Sequence, residues 1–315
     1  MSTALRAPEA TRTPRILRAP EALRVPFVET EARVGRNERL PGTNLYWIEL
    51  SVGSEFPEPV PGQFVMLTPP AAATGGIPLG RPFSIARAIQ DGDGWRLGIL
   101  YAKVGRATGL MTQGCDGAWR VLGPLGRGFP LDHKGPALLV GGGRGTAPLV
   151  FLAESLEARG RSVEFLVGAR SASDWAGPAE MGAVLSRSRV WAVSEDGSRG
   201  TRGRVLDLFE REPAVAEALR APGAALHACG PHGLLAACER LGAAHRVPAY
   251  VSIEAHMACG TGICRSCVVP RPANGPKVPK RGNPDYVIAC LEGPVVPAAC
   301  VDWARDRETT GGRVL

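Results

Sequence analysis

Long hydrophobic runs are missing from this 315-residue sequence. Apolar stretches such as Ala137–Val140 and Leu149–Ala153 fall far short of the about 20 residues that a membrane-spanning helix needs. The arginines near the N-terminus are not followed by the continuous apolar segment of a secretory signal. We therefore expect a cytoplasmic protein that does not enter a membrane.

Clusters of basic residues are also scarce, although the formal net charge is +7. Residues 1–26 hold five arginines against two glutamates, so this short segment accounts for much of the excess. Elsewhere no group of lysines and arginines alternates with aromatic residues, as a nucleic-acid surface would require. We therefore predict no nucleic-acid partner.

The sequence lacks a Ser/His/Asp set or paired carboxylates at a spacing that indicates catalysis by side chains. Its histidines are interpreted as ordinary core or surface residues: His133, His227, His232, His245 and His256. No catalytic side chain is predicted.

Four segments follow one another along the chain. Residues 1–26 repeat Arg-Ala-Pro-Glu-Ala and predict a disordered arm. Residues 27–131 contain short strand-like runs broken by Gly and Pro, which is typical of a small antiparallel β-barrel. Residues 132–248 alternate apolar strands with helical patterns and predict a doubly wound parallel α/β domain. Residues 249–315 form a short C-terminal extension and tail.

The cysteines are the most informative residues in the sequence. Four of the eight follow the pattern C-x4-C-x2-C…C: Cys259, Cys264, Cys267 and Cys290. This is the ligand spacing of plant-type [2Fe–2S] clusters, and glycines at 260 and 262 let the backbone turn its amides toward the sulfurs. Zinc is the alternative, but structural zinc usually takes ligand pairs separated by a longer loop. Three others are predicted not to bind metal: Cys115, Cys238 and Cys300.

A glycine-rich loop follows a predicted buried strand and leads into a helix with Pro148 in its first turn. Gly142, Gly143 and Gly145 would let backbone amides approach a pyrophosphate at the positive end of that helix. The third glycine of the usual dinucleotide fingerprint is absent. A tight turn without a ligand therefore remains the alternative to a nucleotide site.

Two further motifs are compatible with cofactor binding. Arg81-Pro82-Phe83-Ser84 offers a guanidinium for phosphate oxygens and a hydroxyl for a polar ring edge, although a surface arginine beside a strand is the simpler explanation. Cys229-Gly230 ends the last predicted strand of the α/β domain, where open sheets bind their ligands. Its thiol would face a cofactor, or else be a small buried residue.

Taken in order, these motifs resemble the electron-transfer subunits of type B dihydroorotate dehydrogenases, within the ferredoxin–NADP reductase superfamily. The resemblance covers about residues 28–303, and its most specific segments are Val251–Cys259 and Cys290–Val295. It implies FAD between the barrel and the α/β domain, and it carries the cluster ligands over to the four cysteines. The implied flavin contacts are Arg81, Pro82, Phe83, Ser84, Leu100, Tyr101, Ala102, Ala107 and Thr108. Ala107 departs from the family, which usually has glycine there, and Ala102 stands where arginine is common.

The same resemblance implies a function in pyrimidine biosynthesis. Dihydroorotate would be oxidised in a separate FMN-containing catalytic subunit, with two copies of each subunit in a heterotetramer. Electrons would then pass through the [2Fe–2S] cluster and FAD of this chain to NAD⁺. The alternative is a small flavin/iron–sulfur subunit of an NAD(P)H:ferredoxin oxidoreductase or of a hydrogenase diaphorase. Arg170 keeps NADP open, because an arginine near the ribose accepts a 2′-phosphate. A zinc-holding scaffold without catalytic activity is a third interpretation.

Overall fold

The computed structural model describes residues 15–16, 26–70, 79–114, 117–276 and 283–310, with side chains from residue 26 to Asp306. Within the predicted arm, Arg15–Ile16 forms a two-residue strand, β1, which pairs antiparallel with Val28 and Glu29. The rest of the arm before residue 26 and the predicted non-ligand Cys115 lie outside the described residues.

An antiparallel sheet forms the first part of the chain, as predicted. Its strands run in the order β5-β4-β8-β2-β3-β7-β6. They are β2 (Val28–Arg39), β3 (Leu45–Val52), β4 (Phe64–Thr68), β5 (Arg81–Ser84), β6 (Arg87–Asp91), β7 (Gly94–Ala102) and β8 (Trp119–Leu125). A short helix, α1 (Arg106–Met111), follows β7. The sheet curls around buried side chains such as Ile48, Leu50 and Trp119. We refer to the part of the chain from β2 to β8 as the barrel.

A second sheet is parallel except at one edge and has the order β12-β11-β10-β9-β13-β14-β17. Its strands are β9 (Ala137–Gly142), β10 (Val163–Ala169), β11 (Arg189–Ser194), β12 (Thr201–Arg202), β13 (Ala225–Cys229), β14 (Ala249–Ser252) and β17 (Val295–Pro297). Four helices connect them: α2 (Thr146–Ala158), α3 (Leu208–Arg211), α4 (Pro213–Arg220) and α5 (His232–His245). This is the predicted doubly wound architecture, and its strand order reverses between β9 and β13. Ligands of such sheets bind where the order reverses.

The cysteine-bearing extension is built into the second sheet. Strands β14 and β17 come from it and pair antiparallel at the sheet's edge. Between them lies a two-stranded ribbon of β15 (Val268–Pro270) and β16 (Tyr286–Ile288), followed by α6 (Ala289–Glu292). Helix α7 (Trp303–Thr310) comes last. Among the described helices, none combines the length and apolar character needed to cross a bilayer.

Candidate functional site

A cleft opens where the barrel meets the end of the parallel sheet at which the strand order reverses. It encloses about 950 Å³ of empty space, including some at its open mouth. The barrel side is lined by Phe64, Pro82, Phe83, Ser84, Leu100, Tyr101, Ala102, Val104 and Thr108. The sheet side is lined by Arg144, Ala147, Cys229, Ser252, Ile253, Glu254, Ala255, Met257 and Pro294. A flat, mostly apolar ring system fits between walls of this composition.

Most of the residues expected to contact flavin meet in this cleft, but two do not line it. Arg81 is exposed at the start of β5, and its guanidinium donates to the carbonyl oxygens of Leu79 (2.9 Å) and Gly80 (3.3 Å). These backbone acceptors beside it hold the side chain locally. Ala107 is buried in α1.

Aromatic side chains hold the barrel wall in place. The buried Tyr101 stacks on Tyr46 with ring centroids 5.3 Å apart and meets Phe83 edge to face at 6.3 Å. Its hydroxyl donates a 2.7 Å hydrogen bond to the Asn37 amide oxygen. Thr108 shapes the neighbouring turn, because its hydroxyl accepts a 2.9 Å hydrogen bond from the Val104 amide. Protein contacts alone therefore hold the side chains of this wall.

The glycines of the predicted nucleotide loop stand next to the cleft without lining it. A Cβ atom on Gly145 would lie 2.4 Å from the Cys229 carbonyl oxygen, and one on Gly142 would lie 2.8 Å from Leu234. A Cβ atom on Gly230 would lie 3.0 Å from Gly142. These three glycines are therefore required by the close packing of two loops. Gly143 differs, because it has φ +55° and open space beside it.

The sheet side of the cleft holds ionisable groups of opposite sign. Burial raises the pKa of the Cys229 thiol, so this side chain stays protonated rather than acting as a nucleophile. Glu254 borders the solvent in the cleft, yet the surrounding protein raises the pKa of its carboxyl. The Arg144 guanidinium acts in the opposite direction on that carboxyl. A polar ligand edge would thus meet a cation, a carboxyl and a neutral thiol.

The cysteine loop begins where the cleft-lining segment ends. Gly260 (φ +70°) and Gly262 (φ +78°) curl the backbone, so that the Thr261 and Cys264 amides lie 3.4 and 3.5 Å from the Cys259 sulfur. This is the arrangement that the glycine spacing predicted. A Cβ atom on Gly260 would lie 2.6 Å from Met66, so the loop packs directly on the barrel.

The other ligand candidates divide into a buried pair and an exposed residue. Cys267 and Cys290 are buried with their sulfurs 3.2 Å apart, and this contact lowers the pKa of Cys267 to about 7 while raising that of Cys290. Cys264 is exposed, and hydrogen bonds from Ser266 lower its pKa to about 6. Two of the four thiols, Cys264 and Cys267, therefore ionise more readily than a free cysteine, and an iron–sulfur cluster is bound by thiolates.

Within the described ranges, no three His, Cys, Asp or Glu side chains surround one point as the ligands of a metal ion would. A closed zinc site has four ligands in such a shell. The four cysteines nevertheless interact as a group, because Cys259 affects the pKa of both Cys264 and Cys290.

Comparison with known proteins decides the family. Residues 254–302 match the iron–sulfur cluster binding domain of dihydroorotate dehydrogenase B. The dihydroorotate dehydrogenase B (NAD⁺) electron transfer subunit of Geobacillus thermodenitrificans is 36% identical over 242 residues, which are 76% of this chain and 85% of that protein. The corresponding subunit of Lysinibacillus sphaericus is 33% identical and covers 82% of this chain and 93% of its own length. The chain belongs to the dihydroorotate dehydrogenase B electron transfer subunits.

Solved structures agree on the fold of this electron-transfer family. A structure of an NADH-dependent reduced ferredoxin-NADP oxidoreductase, described for flavin-based electron bifurcation, superposes with a TM-score of 0.70 over 89% of this chain and 92% of its own. The ferredoxin reductase of carbazole 1,9a-dioxygenase gives 0.58 over 71% and 68%. Their sequences are only 22% and 21% identical to this chain, so they show a shared reductase fold.

Sequence reasoning missed several residues on the sheet side of the cleft. Arg144 lies within the glycine loop, and Ser252, Glu254 and Met257 lie within the segment that resembles the electron-transfer subunits. The sequence of Val251–Cys259 indicated the family, but it did not predict that these residues line a cleft. Its position explains the signature, since the segment lines the cleft and then leads straight into Cys259.

Proposed function

We propose that this chain carries electrons from the FMN of a dihydroorotate dehydrogenase catalytic subunit, through a [2Fe–2S] cluster and FAD, to NAD⁺ in pyrimidine biosynthesis. One observation carries the proposal. The segment from Ser252 to Met257 lines the cleft, and two residues later the chain reaches Cys259, the first cysteine of the loop. A flavin in the cleft and a cluster in the loop would therefore share one short stretch of backbone.

The barrel side of the cleft suits FAD. Pro82, Phe83 and Ser84 form one strip of its wall, and Tyr101 and Thr108 form the other. Bound FAD supplies the exchange of single electrons on one side and of a hydride with nicotinamide on the other. The side chains hold the ring between apolar surfaces, exclude water and present the Ser84 hydroxyl. No side-chain acid or base is required by this chemistry.

The glycine loop suits the nucleotide. Gly143 leaves open space where the chain enters α2, and backbone amides at a helix start attract the phosphates of NAD. Cys229 lies beside the glycine loop as a neutral thiol, which would pack against the nicotinamide ring rather than react with it. The carboxyl of Glu254 and the guanidinium of Arg144 are available to orient a polar nicotinamide group.

The cysteine loop suits the [2Fe–2S] form of cluster and faces a partner. Cys259, Cys264, Cys267 and Cys290 would be the ligands, in agreement with the plant-type spacing. Cys264 is exposed, and its neighbour Ile263 has 80% of its surface exposed. An apolar residue in that position favours contact with another protein. The relatives are named as electron transfer subunits, so we propose the catalytic subunit as the partner, with two copies of each chain in the complex.

The proposal is tested by purifying the chain with its partner. We expect it to travel with an FMN protein, and the mixture to reduce NAD⁺ when dihydroorotate is added. A complex that contains FMN but forms no orotate would refute the assignment. Faster turnover with NADPH and ferredoxin than with NAD⁺ and dihydroorotate would instead support an NAD(P)H:ferredoxin oxidoreductase.

A further inference from the structure

A bidentate ion pair joins the barrel to the parallel sheet beside the cleft. Arg87, the first residue of β6, donates from Nε to both carboxylate oxygens of Glu154 at 3.0 Å and from Nη2 to Oε1 at 2.7 Å. The two side chains are only 18% and 25% exposed. The remaining guanidinium nitrogen donates to the Gly182 carbonyl oxygen at 2.7 Å. One side chain of the barrel therefore holds two separate segments of the α/β domain.

Helix α2 transmits this contact to the cleft. Ala147, Phe151 and Glu154 are four and three residues apart, so they share one face of the helix. Ala147 lines the cleft, and Phe151 is buried in the core of the barrel. Glu154 lies about 10 Å along the helix axis from Ala147, at 1.5 Å per residue. Helix α2 thus connects the cleft, which its first turn lines, to the ion pair further along the helix.

The barrel side has the same arrangement. Ser84 lines the cleft at the end of β5, and Arg87 begins the next strand three residues later. The segments that carry the ion pair are therefore the ones that carry opposite walls of the cleft. We therefore expect a change in the separation of Arg87 and Glu154 to alter the width of the cleft.

We propose that Arg87 and Glu154 are positioning residues that fix the spacing between the two cleft walls. The inference rests on the proposed function, since the spacing matters only when a flavin is held by one wall and a nicotinamide by the other. Half-buried bidentate pairs have strict geometry, because both donors must meet both oxygens. A displacement of about 1 Å between reacting groups lowers a rate by about 100-fold.

The test compares Glu154→Ala with Arg189→Ala in the FAD-loaded chain. Arg189 pairs with Glu164 within the parallel sheet, so its removal also breaks a part-buried ion pair without touching the junction. For Glu154→Ala we expect flavin reduction by saturating NADH to slow by about 10-fold or more. The KM for NADH should change by less than about twofold, because the glycine loop stays intact. Arg87→Lys keeps the charge but loses the bidentate geometry, and its rate should lie in between.

A second measurement does not depend on activity. Amide hydrogen exchange without FAD or nucleotide should speed up in α2 and β6 of Glu154→Ala, and stay as in the unmodified protein for Arg189→Ala. The domains remain attached, because Phe151 and the 2.7 Å hydrogen bond from the Asn44 amide to the Ser173 carbonyl oxygen are untouched.

The outcomes separate the two claims. A Glu154→Ala protein with the unmodified rate per bound FAD would overturn the positioning role, even if its melting temperature fell. Exchange in α2 and β6 that does not change would also overturn it. An unmodified chain that binds FAD but does not oxidise NADH would refute the proposed function. The hydrogen-exchange result alone would then decide whether Arg87 and Glu154 are positioning residues.

Discussion

The buried ion pair Arg271–Glu292 should decide whether the cysteine loop keeps its cluster. Arg271 is 7% exposed and follows β15, which begins directly after Cys267. Glu292 is 15% exposed and ends α6, which contains Cys290. The pair therefore ties together the two chain segments that bring the buried cysteines within 3.2 Å of each other.

Replacing Glu292 by glutamine removes the charge and keeps the shape. The Arg271 guanidinium would keep its hydrogen bonds to the carbonyl oxygens of Asn283 (3.0 Å) and Tyr286 (3.1 Å), but its charge would be left uncompensated in the interior. Breaking a buried ion pair on one side costs about 3–5 kcal/mol. Because glutamine still accepts one hydrogen bond, we expect about 3 kcal/mol, or about a 150-fold change in the unfolding constant.

The assay combines urea unfolding with iron content. We expect Glu292→Gln to unfold at lower urea and to lose iron during gel filtration under anaerobic conditions. The control is Glu38→Gln, because Glu38 and its partner Arg36 are both exposed side chains of β2. Loss of this pair should leave both measurements unchanged. A Glu292→Gln protein that unfolds like the original and keeps its iron would refute the reasoning.

Three other predictions follow from the site and its surroundings. His227 is fully buried, and burial lowers its pKa to about 3, whereas in the unfolded chain it takes up a proton near pH 6.5. The contribution of His227 to the free energy of unfolding is therefore fully present above pH 6.5 and falls by about 1.4 kcal/mol per pH unit toward pH 3. Urea unfolding at pH 7 and pH 5 should show this slope, and His227→Leu should flatten it; an equal slope in both proteins would refute the assignment. Cys264→Ser should lose the cluster and orotate-linked NAD⁺ reduction but keep NADH oxidation by a dye, and unchanged linked activity would contradict the relay. Gly145→Ala places a Cβ atom 2.4 Å from the Cys229 carbonyl oxygen, so a lower melting temperature and a raised KM for NADH are expected; an unchanged KM would separate the loop from nucleotide binding.

Local patterns predicted the parts of the fold that depend on short segments. Gly and Pro between apolar runs marked the strands of the barrel, and alternating strands and helices marked the parallel sheet. The curl at Gly260 and Gly262 followed from spacing alone, because a cluster needs amides near its sulfurs. Each of these features involves residues that are neighbours in the chain.

The features that were missed depend on how distant segments pack. Arg144 and Glu254 face the same cleft only because β9 and β14 flank β13 in the sheet, and no local pattern encodes that. His227 is a core residue, as its interpretation allowed, but the sequence did not predict that it stacks on Tyr250 with both ring nitrogens lacking a hydrogen-bond partner among the described residues. The contact of Arg81 with flavin phosphate stays a prediction, and in the structure its guanidinium donates to the carbonyl oxygens of Leu79 and Gly80.

Electron paramagnetic resonance of the anaerobically purified chain after addition of NADH tests the central claim most directly. The account predicts the signal of a reduced [2Fe–2S] cluster at about one spin per chain, because electrons from NADH reach the cysteine loop through a flavin in the cleft. The Cys264→Ser variant should lose this signal while its flavin is still reduced. Iron-containing protein whose flavin is bleached by NADH without any cluster signal would contradict the account.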